Sequence, residues 1–211
     1  MLEGADMRDA AAAGLVIASP CGLELPDARR RPARGRPARR RPRDGRPAGA
    51  DRRGARLAGS RLRGADLTGA RCDGADLRGA DLLDAQLAEV VLSGADLTEA
   101  ILEGAEMASG SLEDAVLSRA DLLGADLRGA RMRGAVLQGA DLSEAVLDGA
   151  DLAGADLRLA DLSRAGLGGA DLRSASLAWA RLVGARLAKA RWDGAELEGA
   201  DLTGAVAAPA V

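Results

Sequence analysis

From Ala55 onward, alanine returns at nearly every fifth residue, and leucine follows two positions later: Ala65 and Leu67, Ala75 and Leu77, and so on to Ala200 and Leu202. Ser60, Val90 and Gly110 replace the alanine; Cys72, Met107, Met132 and Trp192 replace the leucine. From Leu57 to Leu202 this makes about 30 consecutive units without an insertion. A period of five excludes both common elements. In an α-helix the leucines would step by about 140° and spread around the whole cylinder, leaving no apolar stripe. In a flat strand successive leucines would alternate faces. A coil that turns a corner once per unit keeps every leucine on the inside, with alanine beside it. The polar residues and glycine then occupy the corner, where glycine supplies positive φ.

Composition fits a narrow core. Hydrophobic residues make up 47% of the 211, but aromatics only 1%, with neither Phe nor Tyr. Leucine and alanine must therefore fill the interior, at roughly 1.5–3 kcal/mol per buried leucine before entropy is subtracted. Cys72, in a leucine slot, reads as a small buried hydrophobe. Two cysteines make no disulfide framework.

Alanine, then Asp, then Leu, in unbroken tandem over roughly three-quarters of the chain, resembles the A(D/N)LXX motif of the pentapeptide-repeat proteins. The resemblance implies an all-β fold, a right-handed quadrilateral β-helix in which four units make one coil and each unit forms one face. The central leucine and the alanine two before it point inward; the other three residues point out. Residues 20 apart then stack at about 4.8 Å, and seven to eight coils make a rod roughly 36 Å long. Family members often carry Phe in some central slots; none here predicts a uniformly slim rod. Trp192 is oversized for such a core and is expected near the C-terminal end, where the last coils open. The expected organisation is an irregular Arg/Pro-rich segment over residues 1–54, a β-solenoid over 55–205 and a short tail over 206–211.

Charge is unevenly distributed. Met1–Gly54 holds 13 basic and 7 acidic residues, and the remainder holds 16 and 25, so a segment of about +6 precedes a body of about −9. From Asp81 to Asp126 there are 11 acids against Arg119 alone, whereas Arg173, Arg181, Arg186, Lys189 and Arg191 make the far end basic. The candidate acidic partner surface comprises Asp76, Asp81, Asp96, Glu99, Glu103, Glu106, Asp121, Asp126, Asp141 and Asp161. Such acids also keep a repeat rod in solution, and Asp in its slot hydrogen-bonds the turn. Candidate exposed apolar contacts are Leu83, Leu123 and Trp179, with Val91, Ile101 and Val146 also outward.

Catalysis is not expected. Histidine is absent, which removes the usual general base and metal ligand. The carboxylates recur regularly, with no partner of contrasting environment to divide acid and base roles. No nucleotide-binding glycine loop or zinc spacing occurs, so no cofactor and no metal are expected. No apolar run approaches the roughly 18 residues of a membrane span. The run "AAAGLVIASPC" (Ala11 to Cys21) follows Glu3, Asp6 and Asp9, the wrong charge for an export signal. The expected location is the cytoplasm. The leading reading is a non-enzymatic scaffold presenting a charged rod to a protein partner. Some members of the family it resembles mimic duplex DNA and bind DNA gyrase, which makes gyrase the second candidate partner. Those mimics typically dimerise through a C-terminal module, whereas here the repeats run to Gly204 and end in "AVAAPAV".

The stretch Arg31–Ala50, "RPARGRPARRRPRDGRPAGA", keeps the period of five with different residues. Arg31 and Arg36 fall in the Asp slot of the later repeat, and Pro32 and Pro37 in its Leu slot. Two readings stand. As a genuine basic arm, residues 29 to 53 are expected to be disordered and to bind nucleic acid or another anion through salt-sensitive phosphate contacts. Alternatively the arm is pentapeptide DNA translated out of frame, since an Ala codon ending in C, followed by GAC and CTN, reads Arg-Pro when entered one nucleotide early. In either case it is not expected to stack on the solenoid as coils, because proline in the inward slot removes a ladder donor and a dry core cannot hold unpaired arginine.

Overall fold

The computed structural model describes residues 54–207, a right-handed quadrilateral β-helix. The irregular segment expected over residues 1–54, with its arm at 29–53, lies outside the described residues but for Gly54, as does most of the tail at 206–211.

Each five-residue unit contributes one bridging residue and one two-residue turn, repeated without interruption. Every bridging residue from Arg56 to Arg186 pairs in parallel with the residue 20 later. Four units therefore close one coil and define four faces. The first face carries Leu57, Leu77 and their successors to Leu197; the second carries Leu62 to Leu202; the third, Leu67 to Leu187; the fourth, Cys72 to Trp192.

The backbone hydrogen bonds explain why five residues suffice for a side and a corner. The leucine N–H donates to the bridging residue one coil ahead, as Leu122 does to Asp141 at 2.7 Å. The bridging N–H donates one coil back, as Asp121 does to Ala100 at 2.9 Å. The second turn residue donates forward, Gly124 to Ser143 at 2.9 Å, and the alanine closes the turn onto the preceding leucine, Ala125 to Leu122 at 3.0 Å. Where the bridging residue is Asp, the remaining N–H, on the first turn residue, finds its side chain: Leu123 donates to Asp121 Oδ1 at 3.1 Å, and Ser163 to Asp161 Oδ1 at 2.9 Å. Asp recurs before leucine because its short carboxylate reaches the donor two residues on. The second turn residue has positive φ throughout, as a type II turn requires, which is why glycine dominates there.

Both inward columns are dry. Leu102, Leu122 and Leu142 and the alanines beside them are buried, as are Met107 and Met132. Cys72 is buried in the central column, and Ser60 settles its hydroxyl on the Leu57 carbonyl at 2.7 Å. Apart from Ala70 near the other end, burial loosens in the final coil, where Trp192, Leu197 and Leu202 are half-buried. Trp192 sits there as expected, its bulk accommodated by the open end. Among the described residues no helix is long and apolar enough to cross a membrane.

Candidate interaction surface

The outward side chains differ from face to face chiefly in how acids meet arginines. On the first face, Arg78 chelates Asp76 through Nε and Nη2 at 2.8 and 2.7 Å and reaches Asp96 at 3.7 Å. Arg119 pairs with Glu99 at 2.7 Å, and Arg158 repeats the chelate on Asp156. On the third face Arg128 does the same to Asp126. On the fourth, Arg173 holds Asp171 while Arg191 approaches it from the next coil, Arg133 binds Asp151 at 2.6 Å and Arg131 lies 3.5 Å from Glu113. The Asp–Leu–Arg sequence makes the chelate local: Asp and Arg two apart leave the same face of the coil. The guanidinium hydrogen bond holds the carboxyls of Asp76, Asp126 and Asp156 below the usual carboxylate range, and that of Asp171 at about 2.

The second face is different. Its outward residues between Arg63 and Arg164 include Asp81, Asp84, Glu103, Asp121, Asp141, Glu144 and Asp161 and not one cation. The two ends are neutralised, by Arg63 on Asp81 at 3.5 Å, Arg164 on Glu144 at 3.1 Å and Arg181 on Asp161 at 3.2 Å. Among the described residues no arginine or lysine pairs with Asp84, Glu103, Asp121 or Asp141, and the last two accept only from their own turns. Asp121, Asp141 and Asp161 follow one another in a single column of bridges, about 5 Å apart. Stacked like charges cost on the order of 0.2–1 kcal/mol per pair. Asn would satisfy the same turn donor without that repulsion, yet the chain contains no Asn. The turn therefore explains the Asp shape but not its charge.

Of the candidate acids, Asp81, Glu103, Asp121, Asp141 and Asp161 share this face, whereas Asp76, Asp96 and Glu99 lie on the first and Glu106 and Asp126 on the third. Four of those five, Asp76, Asp96, Glu99 and Asp126, are engaged by arginine. The candidate apolar contacts Leu83 and Leu123 also lie on the second face. Contrary to the expectation of exposure, both are half-buried, because neighbouring coils shelter a side chain at the first turn position. Ile101, 38% exposed, stands between Asp81 and Asp121 in the bridging column. Asp84 and Glu144 were not singled out from the sequence; counting by 20 from Gly64 would have found them.

Trp179 lies elsewhere, at the corner following the first face, 61% exposed. One coil before it, in the same column, stands Leu159, 59% exposed, which sequence reasoning missed. The N-terminal Arg/Pro arm, the candidate anion site, lies outside the described residues. The basic end is partly neutralised, since Arg173, Arg181 and Arg191 hold acids; Arg186 and Lys189 have no ion pair among the described residues. Among those residues no group of His, Cys, Asp and Glu is placed to hold a metal.

The fold is shared with known proteins. A trypsin-treated variant of QnrB1, a plasmid-mediated fluoroquinolone resistance protein, superposes with a TM-score of 0.54 at 21% identity over 73% of this chain and 84% of that one. HetL, a pentapeptide repeat protein involved in heterocyst differentiation regulation in the cyanobacterium Nostoc sp. strain PCC 7120, is 32% identical over 71% of this chain and 86% of its own, with a TM-score of 0.32. A second Nostoc protein, alr5209, is 42% identical over 41% of this chain and 69% of its own, with a TM-score of 0.39. None of the curated proteins matches the sequence. The model of the family described as "Pentapeptide repeats" matches in 8 copies over residues 48–84, 81–119, 111–149, 140–178 and 180–207, and with the coil geometry above this shows that the chain belongs to the pentapeptide repeat family.

Proposed function

We propose that the protein is a non-enzymatic cytoplasmic scaffold whose second face docks a basic surface of a protein partner. The supporting observation is the cation-free run of acids from Asp81 to Asp161, among which stand the aliphatic side chains of Leu83, Ile101 and Leu123. Complementary charge would steer encounter, and the aliphatic residues would supply contact once water is expelled. A photoreactive residue at Ile101 tests this against one at Ala153 on the fourth face. Protein adducts formed through position 101 and lost in an Asp121→Asn, Asp141→Asn variant support it. Equal adducts from both faces, or none from position 101, sink it.

A second reading is that the basic surface belongs to DNA gyrase and that the rod takes the place of duplex DNA. The column Asp121, Asp141, Asp161 favours it, since it presents regularly spaced negative charge along a straight rod. The fold likeness to a fluoroquinolone resistance protein is consistent with this reading at the level of shape alone. Gyrase supercoiling measured with and without the protein decides it: neither inhibition nor protection from quinolone eliminates the gyrase reading.

A further inference from the structure

A strongly cationic segment precedes the solenoid in the chain. Residues 29–53 contain 12 arginines and 2 aspartates and join the solenoid directly at Gly54. We propose that this arginine-rich segment docks in cis along the second face, over Glu103, Asp121 and Asp141, and so competes with any basic partner for that face. The proposal rests on the second face being the docking surface.

Three observations carry it. The charges are complementary and local: between Arg63 and Arg164 the second face offers acids and no cation, whereas Arg78, Arg128 and Arg173 stand on the other three beside their own acids, the third face also leaving Glu89 and Glu106 without an ion pair among the described residues. Arginine matches a carboxylate with two parallel N–H donors, the geometry that Arg78 and Arg158 already use on Asp76 and Asp156. The reach is sufficient. Arg39–Arg41 lie 13 to 15 residues before Gly54, which spans up to about 45 Å when extended, against a rod of roughly 36 Å. A tether of this length holds the segment at a concentration on the order of millimolar near the face, so weak individual pairs add up.

Trypsin reads the contact directly in the full chain, because Arg34, Arg39, Arg40 and Arg43 are each followed by a residue other than proline. Intact mass first establishes that these arginines are present; a mass fitting Asp-Leu units in their place overturns the proposal outright. In low salt, cleavage at these four bonds is then timed in the wild type and in a Glu103→Gln, Asp121→Asn, Asp141→Asn variant, which keeps the turn hydrogen bonds. The variant is expected to be cut on the order of tenfold faster, at a rate independent of protein concentration. Equal rates overturn the proposal. So does equal acceleration by Glu99→Gln with Glu113→Gln on other faces, or protection that grows with protein concentration, which would assign the contact to a second copy. No partner enters this assay. An undocked arm leaves partner binding open, whereas a docked arm with no partner found once the arginines are neutralised counts against the scaffold reading alone.

Discussion

Val90 and Gly110 occupy the same inward column on consecutive coils, and they replace alanine in opposite directions. A Cβ built on Gly110 would lie 3.5 Å from Val90 Cγ1, 3.4 Å from Leu112 Cδ1 and 3.1 Å from the Met107 carbonyl oxygen. The extra methyl groups of valine thus fill space that the next coil leaves open. Because the coils are about 4.8 Å apart, a change of volume in one is felt first by its neighbours in the stack.

This pair should therefore be coupled. Val90→Ala alone leaves a void and is expected to cost about 2 kcal/mol. Gly110→Ala alone presses on Val90 and on the Met107 carbonyl and is expected to cost about 1 kcal/mol. The double variant, with the alanine pair found in most of the column, is expected to be more stable than the two costs predict. Urea melts of the four proteins give the coupling, and strict additivity would refute the packing argument.

The unpaired acids of the second face should lower stability. Asp141→Asn keeps the donor of Ser143 satisfied and removes repulsion from Asp121 and Asp161. A gain of about 0.2–1 kcal/mol is expected at low salt, disappearing near 1 M salt where the screening length falls to about 3 Å. Asp171→Asn, which loses contacts to Arg173 and Arg191, is expected to destabilise under the same conditions. Thermal melts of both at two salt concentrations check the contrast.

Acid should weaken the fourth face. The Arg173 hydrogen bond holds the Asp171 carboxyl at about 2, below its ordinary 3.8. Its folded value is depressed, so its contribution is present above pH 3.8 and is lost as pH falls through 2. Side-chain carboxyl NMR should show Asp171 titrating well below the ordinary Asp value of 3.8. Arg173→Gln should return it towards its ordinary value and remove that part of the acid dependence.

The corner carrying Leu159 and Trp179 is strained. Their φ angles are 61° and 62°, a left-handed conformation that costs a residue bearing Cβ roughly 1–2 kcal/mol. Trp179 lies over Gly199, where an added Cβ would sit 2.6 to 2.8 Å from three atoms of the indole. Gly199→Ala should displace the ring, which acrylamide quenching reads in a Trp192→Leu background. An unchanged quenching constant would refute the contact. Leu159→Gly should leave stability unchanged or raise it by about 0.5 kcal/mol, the relief of strain exceeding the entropy that glycine adds to the unfolded chain.

Much of the fold was legible because one rule acts on every unit. Ala65 and Leu67 are inside for the same reason as Ala165 and Leu167, so the five-residue period by itself determined the inward slots, the corners and the place of glycine. It also marked Asp as a turn residue and Trp192 as an end residue. The number of units per coil was not in the period: a corner every five residues suits several polygons, and the family resemblance supplied the four. What only the tertiary structure decided is which charges survive. Asp76 and Asp121 occupy the same slot of the repeat, yet Arg78 silences the first while Leu123 leaves the second bare. That difference depends on what stands two residues along the same face and 20 residues along the next coil, and on whether a guanidinium reaches the carboxylate. Exposure was settled the same way: Leu83 and Leu159 are both outward leucines, but the first turn position is sheltered by adjacent coils and the second projects from the corner. Local periodicity fixes where a side chain starts, and the stacking of coils fixes what it meets.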